Sequence, residues 1–431
     1  MRLRAANSPA RWGVAVAVIF GLAIPPRAAD ARRIFVPRDH KNLQGAIDAA
    51  SSGDTVWVAA GTYEGPFVLK KQLVIFGDGG SESTILDGGD SVRVLHIEGV
   101  QRASILGFRI QRGKAPGGGG IYCLHDSLLQ IGSCDIRSNW ESGVAAWQSD
   151  LIQIVDTEIS ENKGSGISAN GSKLQLTRVT LRENRGFSGG GLSLVSSDLL
   201  VARDCTFDRN RADGGTGGGL NADSSSARIS SCTFSGNTSA VAGGAIAAVD
   251  SSILTVRKGR FTSNRAASGG GILVDHSSLL IDYSIFDKNR ATAAGAAVQI
   301  LGRKTAGVNP ILNNLTFYRN GVDGQGAAIF IQQVSPEIHH SIFVVDSTER
   351  NKAVLVLDGA PRYECNLLHT LGGAPPGATP SANTLVADPM FCDPENGDFK
   401  VRDLSPALLA SCGKMGALGK GCASFRMLPG R

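Results

Sequence analysis

Asp223, Asp250 and Asp275, the last followed by His276, recur at matching points of successive chain segments, each shortly after a glycine-rich turn. Carboxylates gathered in this way have two chemical uses. They can hold a hard cation such as calcium through their oxygens. Alternatively, one stays protonated as a general acid beside an ionised partner, because close like charges push one pKa upward. His125 and Asp126 stand at the same point nearer the N-terminus. Aspartate and serine are also ordinary turn residues, and Ser251, Ser252, Ser277 and Ser278 occupy the same turns. A cation or catalytic cluster and a set of solvated turns are both open readings here. Nothing else in the sequence requires a cofactor.

A second set is basic. Lys163, Arg185, Arg211, Thr238, Arg265 and Arg290 each follow a recurring asparagine. Five cations at one point of a repeat make a stripe suited to the spaced anionic groups of an acidic polysaccharide, or simply a solubilising edge. Glu161 and Glu183, two residues before their basic partners, are positioned to neutralise its beginning. Trp140 and Trp147 supply indoles that can stack on a sugar ring or pack on a loop. Cys205 and Cys232 share one repeat position, either as a disulfide or as two small buried hydrophobes. No histidine adjoins either thiol, which argues against a nucleophile.

The elements that must position these residues follow from one repeat. The pattern apolar-x-apolar-x-x-small-x-Phe-x-x-Asn, with Phe replaced by other apolar residues in some copies, ends at Asn139, Asn162, Asn184, Asn210, Asn237, Asn264, Asn289 and Asn320, at intervals of 22 to 31 residues. Glycine-rich turns and an apolar pair separate the copies, as in Gly189-Gly-Gly-Leu192 and Gly269-Gly-Gly-Ile272. Short alternating segments with sharp corners, and no helical spacing, predict an all-β parallel solenoid with one coil per repeat. Coils stack at about 4.8 Å, so equivalent residues sit above one another. Ile131, Ile154, Leu176, Ala202, Ile229, Val256 and Ile281 then form one interior ladder, and Phe207, Phe234, Phe261, Phe286 and Phe317 another. The asparagines are read as structural: each takes the left-handed conformation at a corner and joins an amide ladder.

Both ends need covers. A short helix over His40 to Ala50, with Leu43, Ala46, Ile47 and Ala50 on one face, is expected to close the first coil. Cys392, Cys412 and Cys422, among prolines and glycines where the repeat fades, predict an irregular, disulfide-stapled C-terminal cap. Residues 1–31 combine arginines, a short apolar run and Ala29-Asp-Ala31, which reads as a cleaved export signal. The expected layout is leader 1–31, cap and first coils 32–90, regular coils 91–360, and last coils with the cysteine-containing cap 361–431. The formal charge of +5 falls to about +2 without the leader, which gives no argument for nucleic acid. No later apolar run would span a membrane. An exported monomer, outside the cell, on its surface or in the periplasm, is expected.

Asn42-Leu-Gln-Gly-Ala-Ile-Asp-Ala-Ala50, Gly53-Asp-Thr-Val-Trp-Val58 and Gly61-Thr-Tyr63 resemble the opening of pectin-lyase-like β-helix proteins. The Gly-Gly-Ala-Ile and Phe-x-x-Asn elements resemble repeats of chlamydial polymorphic membrane proteins, which are surface adhesins. These resemblances imply a right-handed parallel β-helix. The tail Phe425-Arg-Met-Leu-Pro-Gly-Arg431 lacks the alternating strands of the adhesins' membrane barrel, and the Asn-Thr-Asp and His-Gly elements of polygalacturonases are not found. The leading expectation is a non-catalytic protein binding polysaccharide or cell-surface glycan, with Lys163, Arg185, Arg211, Arg265, Arg290 and Trp147 as its contacts. A divergent polysaccharide lyase or hydrolase, using Asp223, Asp250, Asp275 and His276, is the alternative, and a structural envelope component the third.

Overall fold

The computed structural model describes residues 31–302, 309–323, 326–346, 351–371 and 384–422. The expected leader, residues 1–31, lies outside them except for Ala31. The chain is a right-handed parallel β-helix. Each coil contributes a strand to three long sheets, as in Leu129–Gly132, Asp135–Arg137 and Val144–Trp147. Among the described residues the first sheet has 14 strands, from Arg33–Val36 to Arg362–Glu364. The second also has 14, from Gly61–Glu64 to Leu385–Val386, and the third 12, from Phe67–Leu69 to Asn351–Leu357.

Parallel register turns each inward position into a column. Ile131 pairs with Ile154, Ile154 with Leu176, and so on through Ala202, Ile229, Val256 and Ile281, as expected. The phenylalanine ladder is one ring longer than expected, running from Phe207 to Phe343 with centroids 4.4 to 5.1 Å apart and planes within 10°. Phe343 was hidden because its coil lacks the asparagine.

The asparagines do form a continuous ladder. From Asn162 onward each Oδ1 accepts from the backbone and side-chain amides of the previous asparagine, as Asn264 does from Asn237 at 3.0 Å in both bonds, while Asn139 accepts from Gly113 N. One expectation fails: the left-handed corner residue is the one before each asparagine, for example Glu183 at φ 55° and Ser263 at φ 55°. The asparagine itself points inward to satisfy the amide that this corner leaves bare. A second ladder escaped the sequence reading. At the opposite corner Ser149, Ser172, Ser197, Ser225, Ser252 and Ser277 each accept a backbone N–H from the preceding coil, and Asp126 heads the row by accepting from Val100 N at 2.8 Å.

The N-terminal helix spans Leu43–Ala49, shorter than expected because Asn42 caps it by accepting from Gly45 N. Its Gln44 side chain accepts from Val68 N at 2.8 Å and donates to Val68 O at 3.2 Å, so a side chain replaces the missing strand at the edge of the third sheet. The C-terminal segment behaves differently from the expected cap. Its Phe391, Phe399, Val401, Ala407 and Met415 pack on Ile285, Tyr318, Ile342, Val344 and Leu367, which lie along the outer flank of the second sheet. It is a lateral strap, stapled by Cys392–Cys422 internally and by Cys365–Cys412 to the coils. Cys205 and Cys232 are buried free cysteines, with Cys205 N donating to Cys232 Sγ at 3.4 Å.

Asp287, next to Tyr318 in register on that flank, is only 5% exposed and its Oδ1 has no partner. Burial pushes its carboxyl above the ordinary range, opposed in part by Lys288 and Arg260. A raised folded-state pKa means the ionised form opposes folding: the stability present under acid conditions is lost as pH rises through the folded value. Asp287→Asn should therefore raise the thermal midpoint at pH 7, with the gain shrinking toward pH 4. Equal shifts at both pH values would refute an electrostatic origin.

Candidate functional site

The residue after each ladder asparagine turns outward and starts a short fourth sheet, six strands from Arg185–Gly186 to Gly321–Val322 among the described residues. Its register pairs Arg185 with Arg211, Arg211 with Thr238, Thr238 with Arg265 and Arg265 with Arg290. Lys163 and Trp140 extend the column by the same backbone bonds, Lys163 N to Asn139 O at 2.8 Å and Trp140 N to Gly113 O at 2.9 Å. The stripe read from the sequence is thus a continuous edge with one residue per coil, and its five cationic members are exposed.

Among the described residues its counterions are few. Asp213 accepts from both Arg185 and Arg211, and Arg265 meets Asp323 at 3.1 Å. Burial raises the Asp213 carboxyl, but the two arginine hydrogen bonds outweigh it and hold the group below its ordinary value. Glu161 and Glu183 do not neutralise the stripe as expected. They sit on the left-handed corner two positions earlier, where Glu161 accepts from Ser138 and Glu183 is held by Arg209 at 2.7 Å and Arg182 at 3.3 Å. Trp140, 41% exposed, is already engaged: Lys163 Nζ lies 3.3 Å and Lys114 Nζ 4.6 Å from its ring, and its N–H donates to Asp90 at 2.8 Å.

The aspartates fare differently. Asp223 pairs with Val249, and Asp275 with Leu301, on the third sheet. Asp223 and Asp275 are therefore two coils apart with Val249 between them. Asp250 falls one residue past Val249, in the turn that follows the strand, where Asp250 and Ser251 are both left-handed, at φ 52° and 66°. Asp275 Oδ1 lies 2.6 Å from His276 Nδ1, and Asp223 accepts from Ser224 Oγ at 3.0 Å. Among the described residues no three His, Cys, Asp or Glu side chains are arranged to hold a metal ion. The expected three-carboxylate cluster is corrected to separate turn residues that do not converge. Trp147, 38% exposed, ends a strand of the third sheet beside Leu124 and Asn170, so the two tryptophans share a coil but not an edge.

One ionisable cluster was missed. On the outer face of the first sheet Arg257, Asp282, Asn313, His339 and Glu364 form one column and Glu337 and Arg362 the next. Asp282 accepts from Asn313 at 3.3 Å and lies 3.9 Å from Arg257. His339 lies 3.2 Å from Glu337 and 3.5 Å from Glu364. Burial raises the Asp282 carboxyl, with Arg257 opposing. His339 thus meets two carboxylates, while Asp282 stands two coils away with Asn313 between them. The cluster's only sequence signal was polar residues at outward strand positions, which any soluble sheet carries.

The family model described as a right-handed β-helix region matches residues 119–290. No curated protein matches the chain. Among solved structures, the crystal structure of pectate lyase Pel9A is similar at 12% identity over 68% of this chain and 77% of that chain, with a TM-score of 0.43. The catalytic domain of a GH87 α-1,3-glucanase in complex with tetrasaccharides is similar at 11% identity over 84% and 71%, with a TM-score of 0.33. The likeness to polymorphic membrane proteins rests on the repeat motifs alone. No described helix is long and apolar enough to cross a membrane.

Proposed function

We propose that this chain is an exported β-helix protein that binds an extended acidic polysaccharide along the edge formed by Lys163, Arg185, Arg211, Arg265 and Arg290. The observation that carries this reading is the register of the fourth sheet, which keeps these cations in one exposed column against two aspartates. A rigid row with cations on five of six consecutive coils, interrupted at Thr238, and coils about 4.8 Å apart favours a long polymer over a small anion. The disulfides Cys365–Cys412 and Cys392–Cys422 support an oxidising compartment.

The test is retention of residues 32–431 on immobilised heparin at increasing salt. Arg211→Ser combined with Arg265→Ser should weaken binding roughly tenfold at low salt, equivalent to about 1.4 kcal/mol. Unchanged retention would remove the edge from consideration. A second reading, cleavage of such a polymer, is favoured by His339 set against the Glu337 and Glu364 carboxylates. Absorbance at 235 nm and new reducing ends, followed in solution with the same heparin and with polygalacturonate, would reveal it.

A further inference from the structure

One residue beside the edge has no structural duty. Phe187 follows the short strand Arg185–Gly186 and is 75% exposed, more than any other large apolar side chain described. Leaving so large a ring in water is unfavourable relative to burial. The next coil nevertheless makes room for it. Gly214 N and Gly215 N donate to Phe187 O at 3.2 and 2.8 Å, and a Cβ on Gly214 would overlap the Phe187 ring. The ring therefore rests against bare backbone while most of its surface stays open.

Its surroundings are charged and ordered. Arg185, two residues earlier, and Arg211, its partner in register, both donate to Asp213, the residue before Gly214. Their side chains remain 61% and 60% exposed. Asp213 orients both guanidiniums without covering them. An aromatic ring resting on Gly214, the residue after the Asp213 that orients both arginines, suits one kind of ligand unit: a ring with an apolar face that carries an anionic group.

We infer that Phe187 is a stacking platform for a pyranose ring whose carboxylate or sulfate is bound by Arg185 and Arg211. This rests on the polyanion reading above and deepens it, because it distinguishes a glycan from any other linear polyanion. Charge alone does not discriminate between them; the ring does.

The test compares two labelled probes of similar charge, a heparin hexasaccharide and a short inorganic polyphosphate, titrated into residues 32–431 with anisotropy as the readout. Phe187→Ala should weaken the hexasaccharide roughly fivefold to tenfold and leave polyphosphate within about twofold, since only the sugar can stack. Phe187→Trp should restore sugar binding. Gly214→Ala, which displaces the ring and leaves both arginines in place, should mimic Phe187→Ala. If the parent chain binds both probes and Phe187→Ala changes neither, or weakens both alike, the platform is refuted while the polyanion edge stands. If the parent binds neither, both readings fall. Phe187-dependent binding to phosphatidylglycerol vesicles without binding to the hexasaccharide would assign the ring to a lipid surface and overturn the inference.

Discussion

Asn264→Ala should lower the unfolding free energy by about 3–5 kcal/mol, although it removes only a small side chain. Asn264 is fully buried near the middle of its ladder. Its Oδ1 accepts from Asn237 N and Asn237 Nδ2, both at 3.0 Å. Its Nδ2 donates to Phe234 O and to Asn289 Oδ1, both at 2.9 Å. Truncation strips the Asn237 backbone N–H and the Phe234 carbonyl of these partners where water has no access, at about 1–3 kcal/mol for each unsatisfied group. A gradient of urea followed by circular dichroism measures the loss. A change under about 1 kcal/mol would mean that the ladder is dispensable to the fold.

Phe261→Ala is expected to cost about as much, roughly 3–5 kcal/mol, by a different mechanism. The ring is fully buried between Phe234 at 5.1 Å and Phe286 at 4.7 Å. Parallel coils cannot close up around the void, because their backbone spacing is fixed by hydrogen bonds on both sides. Phe261→Leu keeps most of the volume and should cost under about 2 kcal/mol. The two ladders also share atoms: Phe261 O accepts from Asn289 Nδ2 at 2.9 Å, as Phe234 O accepts from Asn264. The double variant Asn289→Ala/Phe261→Ala, whose residues meet at the Phe261 carbonyl, should therefore depart from additivity, which a thermodynamic cycle on the same urea curves would detect. Strict additivity would contradict a shared framework.

The parts of this architecture that were legible are those in which chemistry repeats. Phenylalanine and asparagine recur at a fixed offset, so their columns could be aligned from the sequence, and the basic edge came with them because it is counted from the asparagine. The aspartates were counted from the glycine turn instead. Asp223 and Asp275 stand three residues after Leu220 and Ile272, but Asp250 stands four after Ile246, so Val249 takes its place in the column and the apparent cluster dissolves. The serine ladder was overlooked because serine is equally at home in a solvated turn; only its inward orientation separates the two roles. Asp282, His339 and Glu364 fall in one column through register at outward positions, where composition is nearly unconstrained. The strap has no period at all, and its place was hidden until Cys365 paired with Cys412.

That strap changes how the molecule comes apart. In a plain solenoid each coil touches only its neighbours, so coils can peel away one at a time from an end. Here one segment reaches Arg260 through Gly397 O at 2.8 Å, Thr316 through Ala417 N at 3.0 Å, and Cys365 through a covalent bond. Coils that are distant along the axis are bound to a common element, so the last of them cannot open without releasing it. The C-terminal third should exchange its amide protons as one cooperative block, while the coils nearer the N-terminus exchange in graded sequence.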